Sequence, residues 1–347
     1  MIIQFFTPIF EAMVGTLILI PFSIRLAKHY KIVDEPFSAP HKTHKNAVPK
    51  AGGFAIAASI FLVTLINGKL LSPEINPVLL ASAIIFIFGV WDDAQGLSAG
   101  WKLMGQFLAV SVLIWQGIQI RMFVSPLLNI LLTCFWIIGI TNAFNLVDSM
   151  DSLAIGLAAV ASVFFLLVTI DSNEFNLAFL SALTLGSCIG MFYFNATPAR
   201  TFLGDSGAQL LGFLLATLAM AYTPPGFPQP SSWFVPILLL SVPIFDTTIV
   251  VISRLRRRLP IYKAGQDHLY HRLTQLGLSS VQSVTLMHVA ALLTGCLAFI
   301  ALTLPPLWAN TLFAVVLLSG LVIFVWLEKI SPLENETPTS RPKISDH

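Results

Sequence analysis

Charge is what this 347-residue sequence has least of: only 10% of its residues are Asp, Glu, Lys or Arg, against 56% hydrophobic. Soluble domains carry about a quarter charged residues. A water-soluble globular protein is therefore excluded, and the mean hydropathy of +0.83 points to an integral membrane protein. Cysteine is scarce as well. Cys134, Cys188 and Cys296 all lie inside apolar runs, so they read as small core residues and not as a disulfide or metal set. No internal repeat stands out, and no extended basic and aromatic surface is present, so nucleic acid is not an expected partner. No cleavable signal peptide is expected, because the first apolar run lacks a basic start and continues far enough to span.

Apolar runs are what the chain has in abundance. A membrane-crossing helix needs about 20 residues. Eleven candidate runs centre on 4–25, 52–68, 76–91, 103–119, 126–143, 153–170, 177–194, 207–222, 233–252, 284–304 and 308–327. The expected fold is all-α: a polytopic membrane helix bundle of about eleven transmembrane helices. It forms one domain over 1–327, followed by a polar tail, 328–347, read as disordered. Seventeen of the nineteen Lys and Arg residues fall on one side of these runs, six in loop 25–50 and six in loop 253–282. That bias places the N-terminus outside and the C-terminus in the cytoplasm, in a multi-pass cell-membrane protein.

The chemically suggestive residues collect on the cytoplasmic side, in segments 25–51, 92–102, 142–152, 195–206 and 253–282. Asn142, Asn145, Asp148 and Asp151 recur every three residues, which in a helix would align them on one stripe. A capped helix start at Asp151 or Ser152 is the plainer reading. Asp92 and Asp93 are adjacent, which suits a helix end or turn. Asp205 lies between two glycines in Phe202-Leu-Gly-Asp-Ser-Gly207, a turn suited to a metal-bound phosphate. Lys42, His44 and Lys45, ahead of Gly52-Gly53, could hold an anion, and the glycine pair suggests a close approach. Asp246 lies inside the ninth run, where a carboxylate requires a partner within the bundle. A short helix from Asp267 presents His268, His271, Arg272 and Gln275 on one face, suited to phosphate oxygens. His288 reads as a hydrogen-bonded core residue. Together these features suggest Mg²⁺-assisted phosphoryl transfer between a cytoplasmic substrate and a lipid.

The motifs Pro49-Lys-Ala-Gly-Gly53, Trp91-Asp-Asp93, Asn142-Ala-Phe-Asn-Leu-Val-Asp148 with Asp151, Asn195 through Asp205, Phe245-Asp246 and His268-Leu-Tyr-His-Arg-Leu273 support a resemblance in this order. The chain resembles the polyprenyl-phosphate N-acetylhexosamine-1-phosphate transferases of the MraY and WecA type, and is nearer the WecA-like branch. The resemblance implies transfer of a sugar 1-phosphate from a UDP-sugar, with N-acetylglucosamine the default, to undecaprenyl or another polyprenyl phosphate, releasing UMP. Such a step opens cell-wall or surface-polysaccharide synthesis. The cofactor implied is Mg²⁺, with Mn²⁺ as the alternative, and a homodimer is left open. By position, Asp205 would be the main metal ligand, with Asp92 and Asp93 serving metal and lipid phosphate. Asp92, Asp93, Asp148, Asp151, His268 and His271 are the catalytic candidates. Asn145, Asp148, Asp151, Asn195 and Phe202 would frame the uridine, and Lys42 or Lys45 would meet the nucleotide. His268, His271 and Arg272 would contact the diphosphate or sugar, and Asp246 completes the substrate-binding set. Ser149, Ser152 and Tyr270 depart from the family's usual Gly, Gly and His, which bears on sugar choice. The other readings weighed are an MraY-type phospho-MurNAc-pentapeptide transferase, a secondary transporter centred on Asp246, and a non-catalytic lipid-phosphate-binding homologue.

Overall fold

The computed structural model describes residues 2–35, 47–222, 232–260, 265 and 267–330. Thirteen α-helices are described, and each of the eleven apolar runs overlaps at least one of them. They are α1 (Phe6–His29), α2 (Gly52–Ile66), α3 (Asn76–Gln95), α4 (Ala99–Trp115), α5 (Pro126–Val147), α6 (Leu153–Asp171) and α7 (Phe175–Asn195). The rest are α8 (Gly204–Ala221), α9 (Val235–Leu239), α10 (Ser241–Arg256), α11 (Leu269–Gln275), α12 (Ser280–Leu302) and α13 (Pro306–Ile330). The two short strands, β1 (Val33–Asp34) and β2 (Val48–Pro49), pair antiparallel. The protein is thus an all-α polytopic membrane protein. Seven helices, α1, α3, α5, α6, α7, α12 and α13, are long and apolar enough to cross a membrane, and α2 and α4 are shorter apolar helices.

The ninth run corrects one expectation. It is two helices, α9 and α10, broken at Leu240. Pro243 in the first turn of α10 lacks the N–H that would continue the ladder back to residue 239, and its ring crowds that carbonyl.

The bundle is graded from centre to edge. Helix α6 has 78% of its apolar window buried, whereas α13 has 17%. A helix that is apolar all round and buried is a core element, so α6, α7 and α8 form the centre and α13 lies at the periphery. Lipid is as apolar as leucine, so helices here are held by close packing and polar bonds. Ser59 Oγ donates to Ala12 O at 2.9 Å between α2 and α1. The Trp136 indole N–H donates to Ala216 O at 3.0 Å between α5 and α8. His288 Nε2 lies 3.1 Å from Leu153 O and ties α12 to α6, the structural role expected of it.

The start of α8 is packed most tightly. A Cβ on Gly53 of α2 would lie 2.4 Å from both Gly207 N and Ser206 Oγ, and one on Gly89 of α3 would lie 2.4 Å from Ser206 Cα. Three helices therefore meet there at backbone contact. Gly53→Ala should force α2 away from α8 and destabilise the protein by about 1–3 kcal/mol. The thermal midpoint of the detergent-purified variant checks this.

Candidate active site

The site is built around the N-terminus of α8. The first amides of a helix have no partner within it, and Leu203, in the capping position, offers no side-chain bond. Asp93, in the last turn of α3, fills that role from another helix. Its Oδ1 accepts from Asp205 N at 2.9 Å and its Oδ2 from Ser206 N at 3.0 Å. Gly204 has φ +76°, and a Cβ there would lie 2.7 Å from Asp93 Oδ2. Glycine is required on both counts.

Two lysines complete this centre. Lys50 pairs with Asp93 Oδ1 at 3.4 Å and Asp205 Oδ2 at 4.0 Å. Lys102, near the start of α4, pairs with Asp92 and reaches Asp205 Oδ1 at 3.5 Å. Asp92 also accepts from Leu97 N at 2.7 Å. Burial draws the Lys50 ammonium down, but the carboxylates of Asp93, Asp205 and Asp34 outweigh it and hold its pKa above the ordinary lysine value. Three carboxylates thus face two ammonium groups, with Asp34 a further acid acting on Lys50. The side chains of Asp92 and Asp93 are 3% and 2% exposed, and that of Asp205 is 25% exposed. Asp205 is thus the most open of the three acids.

One turn further along α4 and α8, Gln106 Nε2 donates to Gln209 Oε1 and Asn142 Oδ1, both at 3.2 Å. Asn142 Nδ2 returns a bond to Gln106 Oε1 at 2.8 Å. This amide network fixes the register of α4, α5 and α8 beneath the charged groups, since buried amides are costly unless paired.

The four-residue stripe is corrected. Helix α5 ends at Val147, so only Asn142 and Asn145 are helical, and Asp148 is the C-terminal cap. Burial first, then the carboxylates of Asp205, Asp93 and Asp151, push the Asp148 pKa well above the usual range. Asp151 Oδ2 accepts from Ala199 N at 3.1 Å. Asn195, buried at the end of α7, accepts from Ser152 N at 3.0 Å and donates to Thr201 O at 3.1 Å. Thr201 Oγ1 donates to Pro49 O at 2.7 Å, and Lys50 bridges to Phe202 along the main chain. Segments 47–53, 148–152 and 195–205 thus form one wall, with Asn145 and Phe202 half-buried in it.

Ser152 occupies the N-cap position of α6 but makes no side-chain cap bond, and its φ is +67°. That departs from the expected cap. A left-handed backbone costs an L-residue with a Cβ roughly 1–2 kcal/mol, which gives glycine an advantage at this position through the backbone itself.

The histidine segment is a second group. Asp246, fully buried in α10, has the partner expected of it: Oδ2 lies 2.8 Å from His268 Nδ1, and Oδ1 accepts from Leu269 N at 2.6 Å. Arg254 grips Asp267 with two bonds of 2.6 Å, and Arg257 adds one of 3.1 Å. Burial alone would raise the Asp267 pKa, but Arg254 outweighs it and holds the carboxyl below its ordinary value. Arg272 is 0% exposed. The sequence pattern placed it on the ligand-facing side of α11, whereas the structure turns it inward to Ser253 Oγ, Asp267 O and Glu328. Tyr270 is buried, with its hydroxyl 3.1 Å from Ser280 Oγ. His271 packs edge-on to it. Lys42, His44 and Lys45 lie outside the described residues.

Residues 75–223 match the model of glycosyl transferase family 4. A decaprenyl-phosphate N-acetylglucosaminephosphotransferase of Mycobacterium leprae is 30% identical over 293 residues, 74% of this chain and 73% of that protein. The chain belongs to glycosyl transferase family 4. A probable undecaprenyl-phosphate N-acetylglucosaminyl 1-phosphate transferase of Bacillus subtilis is 29% identical over 94% of this chain and 91% of its own length. A phospho-N-acetylmuramoyl-pentapeptide-transferase of Levilactobacillus brevis is 29% identical over 51% of this chain and 62% of its own length.

The family match spans α3 to α8, so this glycosyl transferase holds its whole Asp92–Asp93–Asp205 centre inside the matched segment, with the histidine segment beyond it. Lys50 and Lys102 have no site role in the sequence reading: Lys102 counts as a topology signal, and Lys50 counts as one and also stands in the motif Pro49-Lys-Ala-Gly-Gly53 without a function. The signal that could have found them is charge balance: three acids gathered at one end of an apolar bundle require cations. Ser152→Gly removes a left-handed strain of about 1–2 kcal/mol but also the 3.4 Å bond that Ser152 Oγ donates to Asn195 O, worth about 0.5–1.5 kcal/mol, so the thermal midpoint should rise only slightly. A clear fall would show that the hydrogen bond outweighs the strain.

Proposed function

We propose that the chain moves N-acetylglucosamine 1-phosphate from UDP-N-acetylglucosamine to a polyprenyl phosphate, releasing UMP, at the cytoplasmic face of the plasma membrane. The product would be the first lipid-linked sugar of a cell-wall or surface polysaccharide. One observation carries this reading: three carboxylates and two lysines gathered at the N-terminus of α8, at the end of an apolar bundle. Helix N-termini attract phosphate through aligned amides, and lysines neutralise diphosphate oxygens. A lipid phosphate can reach such a centre only at a membrane interface, where this chain lies.

Among the described residues no three acidic, His or Cys side chains come together as a ready-made metal cage. Mg²⁺ needs only one or two carboxylates together with substrate phosphates and water, and the open carboxylate of Asp205 fits that demand. Asp205 would hold it, and the metal would neutralise diphosphate charge as the phosphate bond to UMP breaks. Asp93 holds the amides of α8 in place, while Lys50 and Lys102 meet phosphate charge. Asn195 and Asp151 hold the wall against which Phe202 and Asn145 would receive the uridine, beside Asp148. His268, fixed by Asp246, would meet the diphosphate with His271. The pentapeptide-bearing substrate is disfavoured because Tyr270 is committed to Ser280, where that branch carries a third histidine.

Purified protein offered a panel of UDP-sugars should release UMP only when polyprenyl phosphate and Mg²⁺ are present, with UDP-N-acetylglucosamine the best donor. Chelation by EDTA should abolish release and Mg²⁺ restore it. Asp205→Asn should lower kcat by about 10²–10³-fold, the size expected for a lost electrostatic contact to the transition state. No UMP from any UDP-sugar would overturn the proposal.

A further inference from the structure

Helix α11 has only seven residues, too few to hold its own conformation in solution, yet it carries His271 and follows directly on His268. Its position must be imposed by its neighbours. Three carboxylates impose it. Asp246 of α10 binds its first amide and His268, and Asp267 is gripped by Arg254 and Arg257 at the other end of α10. The third is Glu328, on the last turn of α13, a helix otherwise at the edge of the bundle. Its Oε1 lies 2.7 Å from Arg272 Nη2, and its Oε2 lies 3.3 Å from Arg256 Nη1.

The two pairs differ in kind. Arg256 has a side chain 64% exposed, and such a pair adds little. Arg272 is fully buried, and its Nη1 has no hydrogen-bond partner among the described residues. Glu328 is the one carboxylate paired with it among those residues. Removing one member of a buried pair leaves an uncompensated charge and is strongly destabilising, and the chain bearing that charge gives way most readily where it cannot hold its own conformation. Here that chain is α11.

We propose that Glu328 is a positioning residue: through Arg272 it latches α13 to α11 and so fixes His268 and His271 at the reaction centre. This rests on the proposed role of the two histidines at the diphosphate, and it makes the last helix part of the support of the site. Neither residue touches substrate. A distant acid in a peripheral helix therefore acts on turnover through a single buried guanidinium.

The test uses the full-length chain in membranes and in detergent, comparing wild type with Glu328→Gln, Glu328→Asp and Arg256→Gln. In Glu328→Gln, kcat for UMP release should fall about tenfold, while KM for the UDP-sugar changes by less than about threefold, the pattern of an interaction realised in the transition state. Trypsin should cut after Arg272, which is shielded in the wild type. Glu328→Asp, which keeps the charge, should recover most of kcat and of the protection, and Arg256→Gln should match wild type in both. A wild-type kcat in Glu328→Gln, or a lowered kcat without cleavage after Arg272, overturns the latch. A wild type that releases no UMP would count against the proposed transferase activity instead, and cleavage after Arg272 would then decide the latch alone.

Discussion

The structure depends on one carboxylate crossing between helices. Asp93 of α3 closes the open amides at the start of α8, an arrangement worth about 0.5–2 kcal/mol as a cap, and it binds Lys50 from the segment ahead of α2. Its setting allows no slack. Gly53 and Gly89 bring the backbones of α2 and α3 so close to α8 that no side chain fits between them, and a Cβ on Gly204 would meet the Asp93 carboxylate itself. The start of α8 is therefore fixed in position and in electrostatic character, and Asp205 is carried on it.

That constraint divides the work among acids that look equivalent in the sequence. Asp93 has its oxygens occupied by amides and a lysine, and Asp92 is occupied by Lys102 and Leu97 N. Asp205 touches the same two lysines at longer range and keeps a quarter of its side chain open. Two acids thus orient the cations and the helix, and the third is presented. In the histidine segment Asp246, Asp267 and Glu328 hold the chain: His268 is buried against Asp246, and His271 is half-buried beside Tyr270. In lipid, where apolar packing alone does not fix helix position, such buried polar bonds supply the register.

Much of the architecture was legible beforehand, because apolar runs of membrane length can hardly fold otherwise. Every such run is helical, and the partner demanded by Asp246 exists. The misses have physical causes. Periodicity carried the Asn142–Asp151 stripe past Val147, where the helix has already stopped. The break at Leu240 comes from Pro243, whose effect is felt at a residue earlier in the chain. Arg272 shares a helical face with His268 and His271, but a seven-residue helix packed on several sides buries part of that face. Lys50 and Lys102 carry two messages at once, topology and charge balance, and the second, which assigns them a place at the site, shows only once the three acids are seen together. Ser152 shows the limit of inference from residue type, since a serine gives no sign of a left-handed backbone.

The central claim is that Asp93 holds the site together while Asp205, the open acid, is not needed for the fold. The thermal midpoints of purified Asp93→Asn and Asp205→Asn, compared with wild type, test it most directly. Asp93→Asn should melt several degrees lower, because a charged acceptor for two amides and a lysine is weakened. Asp205→Asn should melt at or above the wild-type midpoint, because a like charge beside two other carboxylates is removed. Equal losses in the two variants, or a loss confined to Asp205→Asn, would contradict the account.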